Sequence, residues 1–301
     1  MQPVIIFTYN RPDHLNECIK SLKKNHFSSV TNFFIIQDKL KKSNPIILEK
    51  YKLLFKTLPP NFKVIKRINN YGLKRNIIDG VSLILKKYKK VIICEDDLIF
   101  HKDYLNYMNF MLKQYSSDKK ISSISGFSYV LKNQFNLFPR EYLLTLTSSW
   151  GWATKREHWQ EFLSFNSKKY KKILFKDKNM QYSFNYDNAQ SHTLWLKKNS
   201  INKISSWNIE WEFFNFIKNY YTLYPKNTYV ENKGFDGSGV HCNNENYKFQ
   251  LINNRFKFKK SNKRVLFSRE KKILRDIIKK NIDEGLVKKI LKKIVYFNYI
   301  D

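Results

Sequence analysis

Four apolar segments alternate with three amphipathic segments over the first 95 residues of the chain. The apolar segments are rich in β-branched and aromatic side chains, as β-strands are. The segments between them carry apolar residues at helical spacing, as at Leu15, Cys18, Ile19 and Leu22, and Pro12 opens the first of them. The predicted strands are residues 3–9, 32–38, 61–68 and 91–95, and the predicted helices are 10–25, 44–58 and 72–88. This β-α-β-α-β-α-β order predicts an α/β fold with a mostly parallel, doubly wound sheet.

Polar residues follow three of the predicted strands at the point where each strand ends. Thr8 and Arg11 follow the first strand, Asp38 follows the second, and the three acids at 95–97 follow the fourth. In doubly wound sheets, ligands bind outside the carboxyl ends of the strands. Three adjacent acids at the end of a buried strand repel one another and lose hydration, so we expect a cation there. Mg²⁺ or Mn²⁺ commonly binds one or two carboxylates together with substrate phosphates. The alternative interpretation of the acids is a solvated turn after an edge strand.

The usual glycine-rich phosphate-binding sequences are absent from the chain, which has neither a GxGxxG nor a P-loop sequence. A phosphate-bearing ligand would therefore need cations in their place. Lys74 and Arg75 open the third predicted helix, where the helix dipole also favours an anion. Together with a metal ion at the acids, these side chains could hold a diphosphate.

The chain is strongly basic, with 56 Lys and Arg residues against 25 Asp and Glu residues and a formal net charge of +31. Such a charge attracts polyanions, anionic lipid head groups or phosphorylated substrates. The alternative is general use of lysine over the whole surface, because the lysines are scattered. Residues 1–9 lack the features of a signal peptide, and no apolar run reaches the ~20 residues that span a bilayer. Three distant cysteines without a CxxC pair indicate reduced thiols, so we expect a cytoplasmic protein.

Five blocks of sequence, in chain order, resemble the GT-A glycosyltransferases. The blocks are PVIIFTYNRPDHL, NYGLKRNIIDGV, VIICEDDLIF, SSWGWATKREHW and NKGFDGSGVHC. The likeness is to bacterial sugar transferases of surface-polysaccharide clusters, which are distantly similar to the N-acetylglucosaminyltransferase I family. The resemblance implies a Rossmann-like GT-A domain over residues 1–245. The sequence pattern alone, without the resemblance, predicts a basic helical extension over 246–301. It also implies a nucleotide-sugar donor, Mn²⁺ or Mg²⁺ as cofactor, and inverting transfer.

The same resemblance implies roles for individual residues. Thr8 and Arg11 would lie against the nucleotide, and Asp38 would meet its base or ribose. Asp97 would bind the metal ion directly. His241, at the end of a glycine-rich loop, would complete the metal shell or, alternatively, be a structural histidine. The residues expected to contact the donor are Thr8, Arg11, Asp38, Lys74, Arg75, Asn76, Glu95 and Asp96.

Tryptophans in the block SSWGWATKREHW are candidates for binding the acceptor sugar. Trp150, Gly151, Trp152 and Trp159 lie close together, and aromatic faces stack on sugar rings. Since Trp159 is at helical spacing, we expect it in the core. We expect Trp152 nearer the acceptor.

The catalytic base is less well defined by the sequence. An inverting transfer needs a carboxylate that takes the proton of the acceptor hydroxyl, whereas a retaining transfer would need no separate base. Some relatives have Asp after the first Trp of the block that resembles SSWNIEW, but this chain has Asn208, which cannot act as a base. Asp187 and Glu210 are the two candidates, and Asp236 is a weaker third. Asp187 could instead be the N-cap of an apolar helix.

The C-terminal segment from residue 248 to the end carries 17 Lys and Arg residues and 5 Asp and Glu residues. Two amphipathic helices are predicted near 269–282 and 285–297, with Leu274, Ile277 and Ile278 on one face of the first. A basic amphipathic helix is typical of binding to an anionic membrane surface. Packing of both helices on the sheet is the alternative.

The leading hypothesis is a metal-dependent glycosyltransferase, peripheral on the inner face of a bacterial plasma membrane. It would use a nucleotide-sugar, with UDP-sugars favoured, and a saccharide or lipid-linked saccharide acceptor in lipopolysaccharide or capsule synthesis. A sugar nucleotidyltransferase is one alternative, but the segment after the first strand lacks the glycine- and arginine-rich loop of that class. A non-enzymatic polyanion- or membrane-binding protein is the other. No nucleic-acid partner is expected, because the acids at 95–97 would repel a phosphate backbone and no nucleic-acid-binding signature is present.

Overall fold

The first part of the chain forms the predicted alternation of strands and helices. The computed structural model describes residues 1–236, residue 251 and residues 263–279. The elements are β1 (Val4–Thr8), α1 (Pro12–Lys23), β2 (Phe33–Gln37), α2 (Pro45–Lys56), β3 (Phe62–Lys66), α3 (Gly72–Lys87) and β4 (Lys90–Glu95). The four strands lie in the order β4-β1-β2-β3, and every neighbouring pair among them is parallel. The predicted fold class is therefore confirmed.

The remaining described elements extend this sheet and cover it. They are β5 (Leu98–Phe100), α4 (Tyr104–Gln114), β6 (Ile121–Ser125), β7 (Glu141–Leu144), β8 (Trp152–Lys155), α5 (Arg156–Ser164), α6 (Ser167–Leu174), α7 (Lys178–Phe184), α8 (His192–Ser200), α9 (Asn208–Lys218), β9 (Tyr221–Pro225), β10 (Val230–Asn232), β11 (Arg264–Val265) and a helix over 268–279, here α10. The main sheet has the order β11-β7-β9-β6-β8-β4-β1-β2-β3. β8 is antiparallel to both β4 and β6, so the sheet is mixed beyond β4.

Apolar side chains fill both faces of the sheet. Alternate residues of β1 point to opposite faces, so that Val4 and Ile6 join one apolar cluster while Ile5 and Phe7 join another. The first cluster includes buried residues of α1, α2 and α4, and the second includes residues of α3, α5 and α9. Because helices cover both faces, β1 is buried along its whole length, as is typical of parallel sheets.

The described C-terminal residues pack with the sheet. β11 pairs in parallel with β7 at its edge. Leu274, Ile277 and Ile278 of α10 are buried in an apolar cluster that includes Tyr142 and Tyr224. These three residues form the predicted apolar face, and in the structure this face is covered by protein, which is the packing alternative. The predicted helix at 285–297 lies outside the described residues. Within the described ranges, no helix combines the length and apolar character needed to cross a bilayer.

Candidate active site

The carboxyl ends of β1 and β4 meet because these strands are neighbours. Phe7 of β1 lies opposite Glu95 of β4, which places the next residue, Thr8, beside Asp96. The Thr8 hydroxyl donates to Asp96 Oδ2 at 2.8 Å and lies 2.6 Å from the hydroxyl of Tyr51, a buried residue of α2. Thr8 therefore belongs to the acidic site, where its observed partner is a carboxylate. Nothing in the α2 sequence marked Tyr51 as a member of the site.

Arg11 supplies the positive charge that the acids need. It is the N-cap residue of α1, directly before Pro12. Its guanidinium contacts Asp96 through Nη2 and lies 3.0 Å from Asp97 Oδ2 through Nη1. Although burial lowers the pKa of Arg11, the two carboxylates raise it above its ordinary value, so the side chain stays charged. The acids are thus neutralised in part by a cation from the neighbouring strand end.

Burial raises the pKa of two of the acids, Glu95 and Asp96. Removal from water raises the pKa of Glu95, and the nearby charges of Asp97 and Asp96 raise it further. Burial also raises the pKa of Asp96, while Arg11 counteracts this shift. More positive charge at this position would therefore stabilise the ionised acids.

The predicted glycine-rich loop begins directly against Asp97. The Lys233 N–H donates to the carbonyl oxygen of Asp97 at 2.8 Å. A Cβ atom at Gly234 would lie 2.3 Å from Asp97 Oδ2, so only glycine allows the backbone to approach the carboxylate this closely. The fold thus places Gly234, in the block NKGFDGSGVHC, against Asp97, in the block VIICEDDLIF. His241, the predicted further metal ligand, lies outside the described residues.

Asp38 organises the start of α3. Its two carboxylate oxygens accept hydrogen bonds from the backbone N–H groups of Lys39, Tyr71 and Gly72 at 2.8–2.9 Å. Gly72 has φ +70°, a left-handed conformation that favours glycine. Asp38 is buried and its hydrogen bonds join the end of β2 to the first turn of α3. The structure therefore places Asp38 as an anchor of the turn that presents α3.

Cationic side chains gather at the start of α3. The guanidinium groups of Arg75 and Arg67 lie over the Tyr71 ring, 4.1 and 4.7 Å from its centroid. Arg67 Nε also donates to Oδ1 of the buried Asn76 at 2.8 Å. Lys74 is partly exposed in the same turn. Asn76 thus holds Arg67 in place through this hydrogen bond, whereas Lys74 and Arg75 remain accessible to an anion.

The structure corrects the role expected for Trp152. This residue is only 1% exposed, and its ring stacks on Trp207 at 5.2 Å and packs near Trp159 and Trp211. With its faces covered by other rings, Trp152 cannot stack on a sugar, and it is a core residue. The expectation that Trp159 lies in the core is confirmed.

Trp150 is the tryptophan of this block that contacts the glycine-rich loop. It is partly exposed, and its ring packs against Phe127 at 4.6 Å and Phe235 at 5.6 Å. Phe235 directly follows Gly234, the residue that packs on Asp97. Trp150 is therefore connected to Asp97 by two adjacent residues of the glycine-rich loop.

The two candidate bases occupy different environments. Glu210, in the first turn of α9, accepts hydrogen bonds from Lys171 Nζ at 2.8 Å and Asn199 Nδ2 at 2.7 Å, so its carboxylate is engaged with α6 and α8. Asp187 is exposed, has φ +54°, and lies 3.9 Å from Arg275 of α10. It does not cap a helix, because α8 begins later, at His192 with Ser191 as its N-cap. Asn208 opens α9, and its Oδ1 is a buried atom without a hydrogen-bond partner in the described structure.

The acidic site has ligands suited to a hard divalent cation. Among the described residues, no group of three or more His, Cys, Asp or Glu side chains is arranged as a metal cage. The Arg11 guanidinium nevertheless shows that a cationic group fits between Asp96 and Asp97. Carboxylate oxygens from one or two residues, with phosphate and water in the other positions, are the usual environment of Mg²⁺ and suit Mn²⁺. The residues present therefore fit a metal ion that arrives with a diphosphate.

Residues 4–130 match glycosyl transferase family 2. This stretch, less than half of the chain, includes Thr8, Arg11, Asp38 and the acids at 95–97, and it ends before Trp150. The match confirms the expected enzyme class, glycosyltransferase, for that segment, and the α/β sheet agrees with it. No curated protein matches the chain in sequence.

The chain is also similar to solved glycosyltransferase structures at low identity. One is the mannosyltransferase PcManGT from Pyrobaculum calidifontis in complex with GDP-Man and Mn²⁺, with 12% identity over 72% of this chain and 68% of that chain and a TM-score of 0.43. Another is S. aureus TarS 1-349, with 17% identity over 76% and 60% and a TM-score of 0.43. A third is GalNAc-T7 with UDP, GalNAc and Mn²⁺, with 13% identity over 77% and 43% and a TM-score of 0.46. The chain spans less than two thirds of the last two.

Proposed function

We propose that this protein is a metal-dependent glycosyltransferase that moves a sugar from a nucleotide-sugar to a saccharide hydroxyl in surface-glycan synthesis. The observation that carries the proposal is the cluster of Thr8, Arg11, Asp96 and Asp97 at the adjoining carboxyl ends of β1 and β4. This is where an open α/β sheet binds its ligand, and it lies within the segment that matches glycosyl transferase family 2.

Asp97, with help from Asp96, would hold the metal ion. A bound Mn²⁺ or Mg²⁺ would neutralise charge on the diphosphate leaving group. The chain's own cations support the same task. Arg11 lies against both acids, and Lys74 and Arg75 present positive charge at the N-terminal turn of α3. Asp38 holds that turn in place through backbone hydrogen bonds.

The acceptor would lie on the side of Trp150. Its ring is partly exposed and borders Phe235, so it offers an aromatic face near the acids. Trp150 thus takes the acceptor-binding role that was expected for Trp152. A saccharide or lipid-linked saccharide would fit the chemistry of such a surface, and the net charge of +31 would favour an acceptor at an anionic membrane.

For the base of an inverting transfer, we favour Asp187 over Glu210. Asp187 is exposed and therefore open to an acceptor hydroxyl. Its neighbours Tyr186 and Ala189 pack in the same apolar cluster as Trp150, which ties the turn to the acceptor side. Glu210, in contrast, forms an ion pair with Lys171 in a mostly buried position. Asp187 would take the proton of the attacking hydroxyl.

The experiment that tests this function is a turnover assay. UDP-, GDP- and CMP-sugars would each be incubated with p-nitrophenyl glycosides, with Mn²⁺ or with EDTA, and products identified by mass spectrometry. We expect one donor class to give metal-dependent transfer, which Asp97→Asn abolishes and the exposed control Asp79→Asn retains. A parallel incubation would contain nucleoside triphosphates and sugar phosphates. Formation of a nucleotide-sugar there, with no transfer to the glycosides, would instead establish the nucleotidyltransferase alternative.

A further inference from the structure

Glu212 is a buried acid in the middle of an apolar helix segment. It lies in α9 between Trp211 and Phe213, and it is 3% exposed. A carboxylate in such surroundings needs polar partners. Both of its observed donors belong to Thr147, whose backbone N–H donates to Oε2 at 2.6 Å and whose hydroxyl donates to the same oxygen.

The neighbour on the other side of Glu212 is a neutral histidine. His192 Nδ1 lies 3.9 Å from Glu212 Oε1. Burial lowers the pKa of His192 to about 4, so the imidazole carries no charge near neutral pH. Its Nδ1 also lies 3.2 Å from the carbonyl oxygen of Phe184, which is its closer partner. The two Thr147 groups are therefore the main polar partners of Glu212 in the described structure.

Thr147 belongs to the segment that connects β7 to β8, residues 145–151, here the β7–β8 connection. This segment carries Trp150, three residues after Thr147. The Trp150 ring meets Phe235, and Gly234 beside it packs on Asp97. A direct series of contacts thus runs from Glu212 through the β7–β8 connection to the acidic site.

We propose that Glu212 is a positioning residue, which fixes the β7–β8 connection and thereby holds the Trp150 ring at the acceptor side of Asp97. The proposal rests on the glycosyltransferase function proposed above. The hydrogen bonds to Thr147 tie the backbone of the connection to α9, so the ring is placed before an acceptor arrives. Placement matters because a displacement of about 1 Å in a binding group can lower turnover about 10²-fold.

The geometry assigns Glu212 to positioning because the side chain is closed off from solvent. At 3% exposure, with Oε2 taken by Thr147, it is not open to an acceptor hydroxyl. Asn208 lies one helical turn earlier on the same face of α9. Glu212 therefore acts through its hydrogen bonds to Thr147, and a different group contacts the acceptor hydroxyl.

The test compares variants that keep or remove the oxygen that Thr147 needs. Glu212→Gln keeps an acceptor oxygen without the charge, whereas Glu212→Leu removes it at similar size. Thr147→Ser keeps both donors, and Thr147→Val keeps only the backbone donor. The milder Thr147→Val decides the question if Glu212→Leu does not fold. Hydrogen–deuterium exchange of the amides in residues 145–151 reports the connection directly, and the acceptor KM with p-nitrophenyl glycosides reports its consequence.

We expect Glu212→Leu and Thr147→Val to speed amide exchange in the connection and to raise the acceptor KM, by about 10-fold for Glu212→Leu. Binding of nucleotide with Mn²⁺ should stay unchanged. Glu212→Gln and Thr147→Ser should behave as wild type within about 3-fold. Unchanged exchange in both disruptive variants would overturn the proposal. So would a collapse of kcat in Glu212→Gln, since that result would assign the charge of Glu212 to the chemistry.

The exchange measurement separates this proposal from the proposed function. If wild-type protein transfers no sugar to any glycoside, the proposed function fails in that assay. Amide exchange in the connection would still show whether Glu212 holds it, because it needs no turnover.

Discussion

Arg11 Nη1 lies 3.0 Å from Asp97 Oδ2, and the same guanidinium contacts Asp96. The two partners follow neighbouring parallel strands, so the sheet itself brings the arginine to the acids. Three adjacent acids at the end of a core strand are tolerated because a cation from the next strand end meets them. A divalent metal ion beside these acids would add positive charge at the same place.

Replacing Arg11 should show how far the stability of the fold depends on its ion pairs with Asp96 and Asp97. Arg11→Met keeps much of the volume but leaves Asp96 and Asp97 without their cation, so we expect the free energy of unfolding to fall by about 3 kcal/mol in EDTA. Mn²⁺ should restore part of the loss, because it binds the folded acids. Urea unfolding with and without Mn²⁺ measures both effects. Arg75→Met, which changes an exposed arginine, is the control. Equal stability of Arg11→Met and wild type in EDTA would contradict this description of the site.

The two tryptophans of one block should respond differently to truncation. Trp152→Ala removes a ring stacked inside the core, so we expect a loss of about 4 kcal/mol in unfolding free energy. Trp150→Ala should cost less stability but should weaken transfer to glycosides while nucleotide binding is retained. Exposed Trp195→Ala serves as the control for both measurements. If Trp152→Ala left stability intact and abolished transfer, our assignment of Trp152 to the core would be wrong.

The candidate bases can be separated by kcat. Asp187→Asn should lower kcat by about 10²-fold or more, since the acceptor hydroxyl would lose its proton acceptor. Glu210→Gln should keep most of the activity, because Glu210 is held by Lys171 and Asn199. Steady-state kinetics at saturating donor and acceptor gives the comparison. The reverse order of effects would transfer the role to Glu210, and full activity in both variants would leave Asp236 as the base or a retaining mechanism.

Glu212 should make stability depend on pH. Burial raises its pKa from the ordinary 4.5 to about 7, although hydrogen bonds from Thr147 oppose the shift. Between these two values the folded state holds a proton that the unfolded chain has released. The contribution to stability is therefore complete below about pH 4.5 and is lost as the pH rises through about 7, by about 3 kcal/mol in all.

Glu212→Gln cannot titrate and should remove this part of the pH dependence. Urea unfolding of wild type and variant at about pH 5 and about pH 8 measures the difference. We expect the variant to gain stability relative to wild type at the higher pH. A wild-type pH profile that the substitution leaves unaltered would show that Glu212 is not the group responsible.

The order of the first seven elements could be predicted from the sequence because each carries a strong local pattern. Buried strands such as β1 are apolar over most of their length, and α1 begins at Pro12 as expected. The pairing of β8 between β4 and β6 could not be predicted, since it joins segments distant along the chain. The packing of α10 on the sheet was one of two interpretations, because a basic helix with one apolar face fits a membrane surface or a protein surface equally well.

The site could be predicted where its residues directly follow strands. It could not be predicted where the role of a side chain depends on which distant residues pack against it. Arg11, Asp96 and Asp97 meet because parallel strands end together. Trp152 was misplaced because the sequence does not show that α9 brings Trp207 and Trp211 onto its ring. Glu212 was missed because a lone acid in an aromatic helix gives no sign of its partner, Thr147, which is 65 residues away.

Isothermal titration calorimetry of UDP, GDP and CMP, each with Mn²⁺ or EDTA, tests the central claim most directly. The proteins compared would be wild type, Asp97→Asn and the control Asp79→Asn. We expect one nucleotide to bind wild type and the control only with Mn²⁺, and Asp97→Asn to lose that binding. Nucleotide binding that needs neither Mn²⁺ nor Asp97, or no binding of any of the three, would contradict the assignment of these acids to a metal–nucleotide site.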